Sequence, residues 1–243
     1  MSAPLRLAIW SGPRNISTAM MRAWENRGDT AVVDEPFYAF YLNETHAKHP
    51  GAEEVISAGE TDWRKVVAQL MADVPGRAQI YYQKQMTHHL LPVIDRSWLA
   101  QVTNCFLIRE PARVIASYLK KNYRPSATDL GFPQQTEIFE TVRQLTNRTP
   151  TVIDADDVLR DPARILRLLC EAVGVHFRES MLAWPPGRRA SDGVWAKHWY
   201  SEVEKSTGFA PYNGASAAVP EELRDVHDEC RTHYDKLHAL RLT

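Results

Sequence analysis

Only three of the 243 residues are cysteine, and Cys105, Cys170 and Cys230 stand far apart without C-x-x-C spacing. That scarcity argues against a disulfide framework and leaves buried, reduced thiols as the expectation. No apolar run approaches the roughly 20 residues that cross a bilayer. The opening Met1-Ser2-Ala3-Pro4 has neither a basic stretch nor a long apolar core, so a membrane partner is not expected and the cytoplasm is the expected compartment. Net charge is equally scarce, with 29 basic residues against 30 acidic ones leaving -1 at pH 7. Without a global basic field nucleic acid is not an expected partner, and any anionic ligand must be gripped by locally placed arginine and lysine. Internal repeats and low-complexity tracts are absent too.

What the chain does have is a core-forming composition, 44% hydrophobic and 24% charged, enough for one α/β domain over residues 1–243. Short apolar runs read as strands at Leu5–Trp10, Thr30–Val33, Ala78–Gln83, Cys105–Ile108 and Thr151–Asp154. Amphipathic stretches at Asp62–Met71, Pro111–Lys121, Thr136–Leu145 and Pro162–Val173 read as helices between them. The alternation predicts a three-layer αβα fold around a central parallel sheet, with ligands beyond the carboxyl ends of the strands. Residues 178–212, dense in Pro, Gly, Trp and Arg, read as a long ordered loop or lid. From Pro220 the spacing of Leu223, Val226, Cys230 and Leu237 predicts a closing amphipathic helix.

The first strand runs into Ser11-Gly12-Pro13-Arg14-Asn15-Ile16-Ser17-Thr18 and then a helical pattern. A tight turn, a cation and two hydroxyls opening a helix make an anion cradle, because the free N–H groups of a helix start attract phosphate-like groups. The segment lacks the second glycine and the lysine of a Walker A loop. It resembles the 5′-phosphosulfate loop of the sulfotransferases that use 3′-phosphoadenosine 5′-phosphosulfate, usually P-K-S-G-T-T. Pro13 keeps the proline, Arg14 stands for the lysine, and Ser17 and Thr18 for the hydroxyls, while Ile16 replaces the glycine and Ala19 an aromatic residue.

A second segment, Arg109-Glu110-Pro111 continuing to Ser117-Tyr118, places an arginine at a strand end and a serine eight residues on. The two converge on one face once a helix starts at Pro111. This matches the family's 3′-phosphate motif, R-x-P-x-x-x-x-x-S-Y, at every specified position. In the late loop, Arg188-Arg189-Ala190-Ser191-Asp192-Gly193-Val194-Trp195 follows the spacing of the family's R-K-G-x-x-G-D-W element, with Ala190 and Val194 as departures. The acidic stretch Asp154-Ala155-Asp156-Asp157 is similar to a mainly structural segment of the family. The resemblance spans about Leu5 to Tyr212.

It implies a P-loop-like phosphosulfate site and transfer of a sulfuryl group to a hydroxyl or amine of a small-molecule or carbohydrate-like acceptor, with no metal required. Gly12 to Thr18, Arg109, Ser117, Arg188, Arg189 and Gly193 would bind the nucleotide; Arg14, and Lys84 just past the third strand, would supply cations. Where cytosolic members carry a catalytic histidine this chain has Met86. Glu35, following its strand directly, resembles the glutamate of carbohydrate-type members and ranks first as base, ahead of His88 or His89 and then Asp34. The adjacent histidines equally fit packing or capping at the next helix, and neighbours on a helix make a poor metal site. The aromatic clusters Trp195, Trp199, Tyr200 and Phe209 with His198, and Phe37, Tyr38, Phe40 and Tyr41, suit either an acceptor pocket or packed core, with core favoured. A small-molecule kinase and a non-catalytic nucleotide-binding relative are the competing readings.

Overall fold

The computed structural model describes residues 3–120, 124–214 and 217–243. Five strands, β1 (Leu5–Ser11), β2 (Thr30–Asp34), β3 (Ile80–Met86), β4 (Thr103–Ile108) and β5 (Thr151–Asp154), form one parallel sheet in the order β2-β3-β1-β4-β5. The chain leaves β1 for one side of the sheet and returns to β4 on the other, so the loops after β1, β3 and β4 diverge around one crevice at the carboxyl edge.

Both faces of the sheet are covered, which explains why its strands read as apolar runs rather than as alternations. From β1, Leu7 and Ile9 join α1 (Ser17–Glu25) and α8 (Pro162–Ala172) in one core, around Met20, Trp24, Leu166 and Leu169. Ala8 and Trp10 point the other way, into a core with α4 (Trp63–Met71), α6 (Phe132–Thr146) and α10 (Arg224–His238). Trp10 and Trp24 are wholly buried, one on each side. Side chains of this size contribute on the order of 2–3 kcal/mol each by leaving water. Among the described residues no helix is long and apolar enough to cross a membrane.

Helix starts follow local chemistry. Asp62 accepts from the Arg64 N–H to cap α4, and Glu110 accepts from Arg113 N–H before Pro111 opens α5 (Pro111–Leu119). Asp154 accepts from Asp156 and Asp157 to start α7 (Ala155–Arg160), and Asp161 caps α8. The Lys121 end expected for α5 lies outside the described residues. Two other expectations shift. α6 begins at Phe132 rather than Thr136, because Gly131 takes φ 75° ahead of a proline in the first turn. β3 continues to Met86 through its pairing with β1, so Lys84 lies inside the strand and not beyond it. The closing helix is present, burying Cys230, Tyr234 and Leu237.

Candidate functional site

Between β1 and α1 the chain turns within a narrow space. A Cβ on Gly12 would sit 2.4 Å from the Leu130 carbonyl oxygen, so only glycine fits there. Asn15 fastens the turn, its Nδ2 donating to the Leu107 carbonyl at 2.9 Å and its Oδ1 accepting from Ile16 N–H at 3.0 Å. Arg14 is held at φ 57°, left-handed backbone that a residue with a side chain adopts at some energetic expense. α1 then starts with no side-chain cap and no acidic residue in its first turn, leaving its N–H groups and partial positive charge facing the crevice.

Arg109, just beyond β4, donates from Nη1 to the Arg14 carbonyl at 2.6 Å, and Arg14 Nε donates to Ser117 Oγ on α5 at 3.2 Å. The two sequence segments thus meet in one hydrogen-bonded unit. Arg109 Nε is buried with no hydrogen-bond partner among the described residues. Burial pulls both guanidiniums below the ordinary arginine value, and for Arg109 the neighbouring Arg113 and Arg14 add to it against Asp156. Crowded, partly dehydrated cations with an orphaned N–H suit an anion.

Across the crevice Lys84, 1% exposed, is ringed by three acceptors: Asp34 Oδ1 at 2.8 Å, Glu35 Oε1 at 2.6 Å and Tyr200 Oη at 2.7 Å. Tyr200 in turn donates to Asp34 Oδ2 at 2.7 Å. Burial opposes the Lys84 charge, but the carboxylates of Asp34 and Glu35 outweigh it and hold the ammonium well above the usual lysine value. Glu35 has φ 45°, a second left-handed residue at the site. Burial, with the charge of Asp34, pushes its carboxyl above the usual carboxylate range despite the pull of Lys84.

His88 and His89 occupy a single turn, Thr87–His89, instead of opening a helix. His89 is stacked on Tyr38 and on Tyr41, each at 4.7 Å, and His88 meets Tyr41 edge-on at 5.3 Å. Burial pushes His88 down to about 3 and His89 well below its ordinary value, so both imidazoles are neutral.

These groups share one cavity of about 960 Å³. Pro13 to Ala19, Arg109 and Ser117 line one part of it, Glu35 and Lys84 another, and Tyr38, Tyr41, His49, His88, His89 and Trp199 a third. The aromatic clusters divide between cavity and core. Tyr38, Tyr41, Trp199, Tyr200 and Phe209 line the cavity, whereas Phe37 and Phe40 are core and Trp195 packs edge-on against Tyr38 at 5.2 Å. His198 is not among the lining residues and stands over Gly51.

Arg188, Arg189 and Gly193 are not brought to the cavity. A buried ion pair at 2.6 Å between Arg22 of α1 and Asp192 anchors that loop behind α1. Arg189 there faces Glu25 at 3.9 Å and the Pro185 carbonyl at 3.1 Å. Gly193 packs on the Trp195 ring and donates to Asp34 at 3.5 Å. In their place Lys205, Ser206, Thr207 and Gly208, beyond α9 (Ala196–Trp199), line the cavity with Arg124 and Asp129. The run of cation, two hydroxyls and glycine at 205–208 was the available signal, masked by the arginine pair upstream.

A family model described as a sulfotransferase domain matches residues 5–239. Two Arabidopsis thaliana proteins named branched-chain-amino-acid aminotransferase-like protein 1 and 2 are 36% and 32% identical, over 86% and 94% of this chain. The chain spans only 37% and 40% of their length. Among solved structures, a sulfotransferase from Alicyclobacillus acidocaldarius superposes with a TM-score of 0.55 at 14% identity, over 100% of this chain and 98% of that one. The sulfotransferase domain of the Synechococcus PCC 7002 olefin synthase gives 0.59 at 16% identity, over 100% and 98%.

Proposed function

The chain belongs to the sulfotransferase domain family, and from that premise we propose that it moves a sulfuryl group from 3′-phosphoadenosine 5′-phosphosulfate to a hydroxyl or amine of a small-molecule acceptor in the cytoplasm. The observation that carries this reading is the single cavity in which the uncapped start of α1, with Arg14, Arg109 and Ser117, shares a wall with Glu35 and Lys84. The orphaned Arg109 Nε and the close-packed Gly12 turn suit a phosphate drawn against backbone, as in a P-loop-like cradle. Ser17, Thr18 and Arg14 would hold the 5′-phosphosulfate, and Arg109 and Ser117 the 3′-phosphate. Lys205, lining the same cavity, takes over the basic-loop role expected of Arg188 and Arg189.

In-line transfer of this kind relies on positioning and on charge stabilisation at the leaving oxygen. Arg14 and the α1 N–H groups offer positive charge there. Glu35 Oε1 is engaged by Lys84, so Oε2 is the atom that takes the acceptor proton. A base works best with a pKa near the operating pH. His88, pushed down to about 3, is a feeble base at neutral pH, whereas Glu35 is shifted upward, towards the working range. Asp34 is committed to Lys84 and Tyr200.

Calorimetry with 3′-phosphoadenosine 5′-phosphate and with ATP tests the reading. The 3′-phosphorylated ligand is expected to bind more tightly and without magnesium. Equal or weaker binding would remove the sulfotransferase assignment of this site, and magnesium-dependent ATP binding would favour a kinase.

A further inference from the structure

We propose that Lys84 is a cation held in reserve: Asp34 and Tyr200 fix its ammonium in place, and Glu35 is the partner it exchanges for an oxygen of the transferring group. This rests on the transfer reaction proposed above and assigns Asp34 and Tyr200 as positioning residues.

An ammonium has three N–H donors. In this structure all three are taken, by Asp34, Glu35 and Tyr200, at 2.8, 2.6 and 2.7 Å. A further acceptor oxygen is served only when one of them lets go. Asp34 is the least able, because its side chain is 1% exposed and its other oxygen already accepts from Tyr200 Oη at 2.7 Å. Tyr200 is fastened by that bond and by Trp195 Nε1, which donates to its hydroxyl at 3.4 Å. Glu35 stands at the cavity wall with a 12% exposed side chain, and its second oxygen is 4.0 Å from His89 Nδ1.

The exchange follows from charge. Two carboxylates around one ammonium leave the buried cluster one negative charge in excess. During transfer the acceptor oxygen bonds to sulfur, and the bond from sulfur to the 5′-phosphate oxygen breaks with its electron pair left on that oxygen. The acceptor proton passes to Glu35. A protonated Glu35 is a weaker acceptor than a carboxylate, so it releases an ammonium N–H to an oxygen of the transferring group just as that group leaves the 5′-phosphate for the acceptor. Asp34 and Lys84 remain as a neutral pair. Proton uptake and cation delivery are thereby one coupled event.

The groups that face Glu35 are Lys84 from β3, Asp34 from β2, Tyr38 from α2 (Tyr38–Thr45), His89 from the turn after β3, and Tyr200 beyond α9. The test is a carbon NMR titration of glutamate-labelled protein, in which the Glu35 carboxyl is the signal lost in Glu35→Gln, alongside the pH profile of transfer. Asp34→Asn removes a neighbouring negative charge at nearly constant shape and is expected to move the Glu35 titration down by about one pH unit; Lys84→Met is expected to move it up by a similar amount. The acidic limb of kcat should shift down with Asp34→Asn, while 3′-phosphoadenosine 5′-phosphate still binds. A merely structural Asp34 would lower amounts of folded protein without moving that limb. An unmoved Glu35 titration in Asp34→Asn overturns the cluster even if Lys84→Met fails to fold. A titration that moves while the kcat limb stays put overturns the exchange but leaves the transfer reaction standing. Loss of nucleotide binding and of transfer in the unmodified protein would overturn the transfer reading and this proposal with it.

Discussion

Arg14 joins two halves of the cradle through different atoms. Its carbonyl receives Arg109, and its guanidinium reaches Ser117. Removing the side chain therefore deletes the charge without deleting the turn, which Asn15 and Gly12 continue to hold. Arg14→Ala is expected to lower turnover about a hundredfold, the usual effect of losing one electrostatic donor at a developing charge. Affinity for 3′-phosphoadenosine 5′-phosphate should fall by less, because the α1 N-terminus and Arg109 remain. Steady-state kinetics beside calorimetry measures the split, and near-normal turnover would displace Arg14 from the leaving oxygen. The pair Arg109 and Ser117 was legible in the sequence because a strand end and the first helical turns impose fixed spacing. Lys84 was readable as a cation but not as a saturated one. Its partners Asp34 and Tyr200 lie 50 and 116 residues away, and only the parallel register of β2 with β3 brings the first of them alongside.

At the scale of elements, the cavity-lining segment 205–210 is fastened by Tyr212, two residues beyond its end. Tyr212 lies under both Arg113 of α5 and Arg160 of α7, at 4.9 and 4.2 Å from their guanidinium carbons. Its hydroxyl accepts from them at 3.1 and 2.9 Å. Arg113 is itself paired with Asp156 at 3.1 Å and Arg160 with Asp157 at 2.8 Å. Tyr212→Ala removes the ring from both arginines and is expected to speed nucleotide release about tenfold, the kinetic equivalent of ~1.4 kcal/mol. Stopped-flow displacement would read it, and an unchanged release rate would mean that the segment does not retain the ligand. The five strands were legible because a doubly covered parallel sheet writes itself as apolar runs. The late loop was not. Arg189 and Lys205 both belong to this irregular late segment, and Arg189 is kept from the cavity by Arg22, a helix residue whose buried charge demands Asp192 and so holds Arg189 beside Glu25 of α1.

For the molecule as a whole, neutral buried histidines set an acid limit. His88 titrates near 6.5 when unfolded and at about 3 when folded. Its contribution to stability is complete above pH 6.5 and declines as the pH falls toward about 3, since only the unfolded chain takes up the proton in that window. Glu35 and Asp154, both held above the usual carboxylate range, act in the opposite sense. The clean measure is consequently the difference between the protein and His88→Gln. Unfolding at pH 7 and pH 5 should show the advantage of the histidine shrinking by about 2 kcal/mol. A difference that does not change with pH would mean His88 is charged or solvated. Two of the left-handed residues, Arg14 and Glu35 at the crevice, bear on how this protein responds to selection. Glycine relaxes such backbone at once, so a search for thermostability that never assays chemistry would be drawn to glycine at both positions. It would return a hardier protein with the cation at one side of its crevice and the carboxylate at the other both erased.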